Sequence, residues 1–210
     1  WQPTDPDAQW TNAPVVGITP TGEVLLIDIA TWWWGESREI AAGADGDLWV
    51  VLGASPTLAI GRIALDGSAV RHALPSSVTS VHDLTAGADA SMWFLGGTSA
   101  GGTVVGRVTE NGEVQLIADP LLGDALDLAP AAGTTGVVVA IYGEGLVAVG
   151  ADGSASAVPG TGSIGARSVA LGPDAAHWVG TDSGPIVRVA ATGEVTSYPD
   201  PRLGITNGPG

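Results

Sequence analysis

Three features of the sequence predict an all-β fold, a five-bladed β-propeller built from four-stranded blades. A short pattern recurs five times: a strand ending in Gly-Arg-Ile or a similar triplet, a polar turn with glycine, and a further strand. The turn glycines stand 45, 45, 41 and 40 residues apart; they are Gly22, Gly67, Gly112, Gly153 and Gly193. Asp-Gly turns separate the short apolar runs. A period of about 40 to 45 residues made of short strands is typical of β-propellers.

The second repeat shows the four strands most clearly, at 39–43, 48–52, 58–63 and 69–74. Its second strand, LWVVL, is apolar throughout, which predicts burial on both faces. Large flat residues recur at one register of this strand, so we expect them to pack between neighbouring blades. They are Trp49, Trp93 and Trp178, with Val137 at the same place in the fourth repeat.

The two ends of the chain complement each other in the repeat pattern. We expect one domain, 1–210, with repeats at about 1–36, 37–77, 78–122, 123–163 and 164–201. Residues 202–210 repeat the opening of the fifth blade, whereas the head of the chain lacks an inner strand. We therefore expect 202–210 to pair into the first blade and close the ring, which removes exposed strand edges. The alternative is a fragment of a longer propeller, for example one with seven blades.

Composition excludes several classes of function. The net charge is −15, and all seven basic residues are arginines, so few groups could neutralise phosphates and nucleic acid is not expected as a partner. The absence of Lys and Cys excludes lysine nucleophiles, thiolate catalysis, disulfides and cysteine metal sites. No stretch approaches the roughly 18 apolar residues of a membrane span.

Several repeat motifs resemble the streptogramin (virginiamycin B) lyase family and the related NHL-type propellers. The segments that carry the resemblance best are 42–49 (AGADGDLW), 60–63 (IGRI), 171–174 (LGPD) and 194–199 (EVTSYP). The resemblance implies a propeller and a metal-assisted elimination that opens a cyclic ester antibiotic, with His and Glu residues near the axis and magnesium. That family has seven blades, whereas this chain has five repeats and three histidines. Only His82 lies at the axial step.

Polar residues precede the inner strand of several repeats, where the loops of a propeller converge on one axial mouth. Such a ring suits a polar ligand or a divalent cation, magnesium or calcium. The alternative is a ring of charges that pair with one another and line water. The candidate ligand-binding residues are Arg38, Glu39, His82, Asp83, Asp127 and Arg167.

A second candidate site is Trp32, Trp33 and Trp34, in the connector between the first and second repeats. Three consecutive tryptophans cannot all face one core, so at least one is expected to be exposed for a glycan, peptide or protein, or to cap the ring locally. Trp1 and Trp10 are expected to pack in the closing seam. His72, on an outer strand, and His177, in a turn, are expected at the surface.

These features leave three hypotheses of function. The first is a secreted or cell-surface propeller that binds a small molecule, glycan or protein at the top-face mouth. The second is a metal-assisted lyase or hydrolase of the streptogramin-lyase type at the same mouth, with His82 as general acid or base and Glu39, Asp83 or Asp127 holding the metal. The third is a purely structural propeller within a larger assembly.

Overall fold

In a computed structural model of the protein, residues 15–18, 21, 24–27, 39–66, 68–182 and 184–199 are described. Their regular structure is β throughout, apart from one 3-10 turn at Pro120–Leu122. The hairpin β1–β2 comes first, followed by four sheets of four antiparallel strands each. This arrangement confirms an all-β propeller of four-stranded blades. Closure of the ring by 202–210 lies outside the described residues.

Each blade is a meander in chain order, from an inner to an outer strand. The hairpin comprises β1 (Val15–Ile18) and β2 (Val24–Ile27). The second blade comprises β3 (Ile40–Ala42), β4 (Leu48–Leu52), β5 (Ala59–Ile63) and β6 (Ala69–Ala73). The third comprises β7 (Val78–Ala86), β8 (Met92–Thr98), β9 (Thr103–Val108) and β10 (Val114–Ile117). The fourth comprises β11 (Ala125–Pro130), β12 (Val137–Ile141), β13 (Leu146–Val149) and β14 (Ala155–Ala157). The fifth comprises β15 (Ala166–Leu171), β16 (His177–Thr181), β17 (Ile186–Val189) and β18 (Val195–Tyr198).

The first strand of each of these four blades lies toward the axis. Strand β7 lies beside β3 on one side and β11 on the other, and β11 lies beside β15. Successive blades therefore meet through their inner strands. The loops that precede the inner strands lie on the same face as the loops linking second and third strands, and this face is called the top face below.

The core is a series of apolar layers between blades. Trp49 packs with Met92 and Phe94 between the second and third blades. Trp93 packs with Leu128 and Val139 between the third and fourth. Trp49 and Trp93 are fully buried, which confirms their predicted place between blades. Trp178 is half-buried, and its ring stacks on that of Tyr198 with centroids 5.6 Å apart. Burying flat rings between sheets stabilises each blade pair.

The arginines of the repeat motif are structural. Arg62 pairs in register with Trp49, lies over its ring at 5.6 Å and bonds Asp45 and Asp47 of the preceding turn. Arg107 with Trp93 and Asp89 repeats this arrangement. The turn aspartates therefore neutralise an arginine.

Two histidines lie elsewhere than the sequence predicts. His72 is 9% exposed and stacks on Trp49, because the turn around Gly112 of the third blade covers its outer strand. His177 is 8% exposed, and its Nε2 atom lies 3.0 Å from the carbonyl oxygen of Pro130 in the fourth blade. The expectation of surface positions is wrong for both, because neighbouring blades cover strands that look peripheral within one repeat.

No helix in the described part of the chain is long and apolar enough to cross a bilayer.

Candidate functional site

A β-bulge opens the inner strand of three successive blades at the same place. The register shifts between Val81 and Asp83, between Ala125 and Asp127, and between Ala166 and Ser168. The residues skipped by the pairing are His82, Leu126 and Arg167, and all three are exposed. Bulges re-aim side chains and are common beside active sites. Here they present one side chain per blade at the top face.

A cleft of about 550 Å³ lies between the second and third blades at this face. This blade 2–3 cleft brings together two of the predicted site residues, Glu39 and His82. The apolar part of its wall is formed by Val51, Leu58 and Val81, all buried. Its size falls within the usual range of small-molecule sites, about 300 to 1,000 Å³.

Ser80 supplies a polar partner to the histidine of the cleft. Its Oγ atom lies 3.0 Å from Nε2 of His82, and both residues line the cleft. Strand β8 faces this pair with a glycine: a Cβ atom on Gly97 would lie 2.8 Å from Ser80 Oγ. The absence of a side chain at Gly97 therefore leaves the Ser80 hydroxyl free to reach the imidazole.

Asp83 and Asp127 hold neighbouring blades together. Asp83 Oδ2 accepts from the N–H of Leu128 at 2.9 Å, and Asp127 Oδ2 accepts from the N–H of Val169 at 2.7 Å. The other oxygen of each carboxylate accepts from the amide that follows it in the chain. Each aspartate therefore accepts from one amide of its own strand and one of the next blade, an arrangement called the aspartate clamp below.

The clamp brings two carboxylates close together. The N–H of Leu128 is shared by Asp83 Oδ2 and Asp127 Oδ1. Burial raises the pKa of Asp83 to about 7, with a side-chain hydrogen bond to Asp127 adding to the effect and the backbone amides opposing it. Near neutral pH the Asp83 carboxyl is therefore protonated for part of the time.

Arg167 lies apart from the cleft, at the fifth blade. Its guanidinium stacks over the ring of Tyr142 at 4.3 Å and forms an ion pair with Asp182. Of the predicted site residues, Glu39 and His82 therefore line one cleft, whereas Asp83 and Asp127 form the aspartate clamp. Arg167 lies against Tyr142 of the fourth blade.

Arg38 and the tryptophans Trp32, Trp33 and Trp34 lie outside the described residues, as do Trp1 and Trp10. Within the described ranges, no three His, Asp or Glu side chains gather as metal ligands. A cation at the mouth stays a prediction.

The sequence pattern does not single out Ser80 and Tyr142, which the structure places beside the predicted residues His82 and Arg167. Ser80 precedes His82 by two positions, a spacing that places side chains on one face of a strand. Tyr142 lies in the loop between β12 and β13, and the loops linking second and third strands belong to the top face. The position of Tyr142 in such a loop is therefore the sequence feature that could have placed it at the top face.

No protein-family model matches the chain, and no curated protein matches it. Among solved structures, a catalytically inactive His-to-Ala variant of virginiamycin B lyase from Staphylococcus aureus with quinupristin is 21% identical. The match has a TM-score of 0.65 and covers 90% of this chain and 63% of the lyase. The chain thus spans less than two thirds of that protein.

Two further structures are similar. A gluconolactonase from Xanthomonas campestris is 18% identical with a TM-score of 0.59, over 91% of this chain and 70% of that one. An auxiliary nutrient binding protein from Bacteroides ovatus is 11% identical with a TM-score of 0.52, over 80% and 41%. At such identities a likeness shows the fold alone. The protein has a β-propeller fold like that of the virginiamycin B lyases.

Proposed function

We propose that the protein is an extracytoplasmic β-propeller that binds a small polar molecule in the blade 2–3 cleft. The observation that carries this proposal is that one cleft of about 550 Å³ contains both Glu39 and His82 at its rim. A carboxylate and an imidazole beside an apolar wall suit a ligand with polar groups along one edge and an apolar face.

The similar structures support a small-molecule site on such a fold. One contains quinupristin, one is a gluconolactonase, and one is a nutrient binding protein. The location outside the cytoplasm rests on the family resemblance and the acidic composition. The proposal extends to a glycan or a protein as the ligand of the same cleft.

An enzyme of the lyase or hydrolase type is the second candidate, and one observation favours it. His82 is exposed at a bulge, and its imidazole nitrogen already lies 3.0 Å from a hydroxyl in the cleft. An exposed, hydrogen-bonded imidazole within a cleft is the arrangement that general acid–base catalysis needs.

Saturation-transfer NMR with four probes tests binding: quinupristin, gluconolactone, glucose and N-acetylglucosamine. We expect at least one probe to bind. The variants His82→Ala and Glu39→Gln should each raise the Kd of that probe about tenfold, the equivalent of one lost hydrogen bond. Glu113→Gln, in an exposed turn between β9 and β10, is the matched control and should leave Kd unchanged. Binding by no probe, or binding indifferent to both cleft variants, would contradict the proposal.

A further inference from the structure

We propose that Ser80 is a covalent nucleophile activated by His82, and that the cleft hydrolyses short-chain carboxylic esters through an acyl-serine. The proposal rests on the proposed function, because it uses the same cleft. It adds a reactive atom and a class of substrate that binding alone does not imply.

The geometry of the pair fits nucleophile activation. A serine becomes a nucleophile when a base lies within hydrogen-bond reach of its hydroxyl, and Ser80 Oγ and His82 Nε2 are 3.0 Å apart. In the neutral tautomer with its proton on Nδ1, the imidazole accepts the Ser80 hydrogen at Nε2. That tautomer can remove the proton as the serine attacks.

The glycines of β8 keep the pair assembled. A Cβ atom on Gly97 would lie 2.8 Å from Ser80 Oγ and 3.8 Å from His82 Nε2. A Cβ atom on Gly96 would lie 2.4 Å from the Ser80 carbonyl oxygen. Side chains at these positions would displace the serine, so the local sequence permits the contact.

The cleft wall selects the substrate class. Val51, Leu58 and Val81 are buried and offer an apolar surface for a short acyl chain. Glu39 lines the same cleft, and the chain carries a net charge of −15, so an anionic ester is disfavoured. A neutral or cationic ester with a short acyl chain fits best.

The reaction balances with water as the co-reactant. Ser80 Oγ bonds to the ester carbonyl carbon while its proton passes to His82 Nε2. The ester C–O bond breaks, and the leaving alkoxide takes that proton as an alcohol. Water then attacks the acyl-serine, gives a proton to His82, and releases the carboxylic acid as Ser80 regains its proton. The net change is ester plus water to acid plus alcohol.

A fluorophosphonate probe, which forms a covalent adduct with activated serines, tests the proposal on the full chain by peptide mass spectrometry. We expect an adduct on Ser80, none in Ser80→Ala, and an unchanged labelling rate in Ser77→Ala, whose serine is exposed just before β7. His82→Gln should slow labelling by about 10²-fold, the scale of general-base assistance. Hydrolysis of p-nitrophenyl acetate should fall in parallel.

Gly97→Ala is a second variant that keeps both Ser80 and His82 in the sequence but crowds the serine hydroxyl out of reach of the imidazole. Folding of every variant is checked by tryptophan fluorescence, and Gly97→Ala should lower labelling of the folded protein. A folded protein that shows no adduct, an adduct on other serines only, or labelling indifferent to His82→Gln would overturn the proposal. Because probe binding is measured separately by NMR, a protein that binds but is not labelled refutes the nucleophile and leaves the proposed function standing.

Discussion

Asp83 of the third blade accepts a hydrogen bond from the backbone N–H of Leu128 in the fourth blade, with its Oδ2 atom 2.9 Å from the nitrogen. The next blade repeats the relationship between Asp127 and Val169. Each carboxylate thereby accepts from a backbone amide of the next blade at the seam between sheets. The inner strands are joined by side chains where no strand pairing links the blades.

The clamp predicts a specific dependence of stability on pH. The pKa of Asp83 is raised from 3.8 to about 7, so the folded state holds an extra proton between these values. This group therefore lowers the free energy of unfolding as pH rises from about 4 to 7. Asp83→Asn should reduce that decline, because an amide can accept from Leu128 and donate to Asp127 without ionising.

Urea denaturation of both proteins at a series of pH values checks this expectation. The control is Asp124→Asn, in an exposed position before β11. A decline between pH 4 and 7 that is as steep in Asp83→Asn as in the wild type would show that the clamp does not hold the proton.

The buried His72 predicts the opposite dependence. Burial lowers its pKa from 6.5, with the charge of Arg62 adding to the effect, and its Nε2 atom is buried without a partner among the described residues. Its contribution to stability is therefore complete above pH 6.5 and is lost as pH falls below it. His72→Phe should keep the stacking on Trp49, stabilise by about 1 kcal/mol at neutral pH, and reduce the acid loss. Thermal unfolding at pH 5 and 7.5 measures both effects, and a variant less stable at both values would contradict them.

The turn between β7 and β8 contains strain that one substitution should relieve. Ala90 has φ of 58°, where the equivalent turn of the second blade has Gly46 at 88°. A left-handed conformation costs an L-residue about 1 to 2 kcal/mol, so Ala90→Gly should stabilise by about 1 kcal/mol. Ala64→Gly, at a residue whose own φ is not positive, should instead destabilise by about 0.5 kcal/mol through the entropy of the unfolded chain. Chemical denaturation of the two variants tests the contrast, and losses of similar size in both would refute it.

Phe94 occupies the space that a side chain at Gly106 would need. A Cβ atom there would lie 2.0 to 2.6 Å from three atoms of the Phe94 ring. Since the ring is fully buried, Gly106→Ala should destabilise by about 3 kcal/mol. Gly101→Ala meets no atom within 4 Å and is strained only by its φ of 76°, so it should cost about 1 kcal/mol. Equal unfolding midpoints for the two variants would contradict this packing.

Much of the fold follows from local sequence patterns. The repeat predicts the blades because strands and turns depend on neighbours within about 40 residues. The buried positions of Trp49 and Trp93 follow from their recurrence at one register. The burial of His72 does not follow, because it depends on the turn at Gly112, which belongs to the next blade.

The site is predicted less completely for the same reason. His82 and Glu39 stand at equivalent places in the repeat, which predicts that they meet at an axial mouth, whereas the structure places both in a cleft between two blades. The roles of Asp83 and Asp127 in the clamp depend on an inter-blade geometry that a single repeat does not encode. Ser80 precedes His82 by two positions, a spacing that places side chains on one face of any strand, so the pattern alone does not distinguish this contact from ordinary alternation.

A crystallographic fragment screen tests the proposed binding site in the cleft most directly, because it shows where small polar molecules bind on the folded protein. We expect fragments in the blade 2–3 cleft, within hydrogen-bond distance of His82 or Glu39 and against Val51 and Val81. Fragments that bind reproducibly at other surfaces while the cleft stays free of them would contradict it.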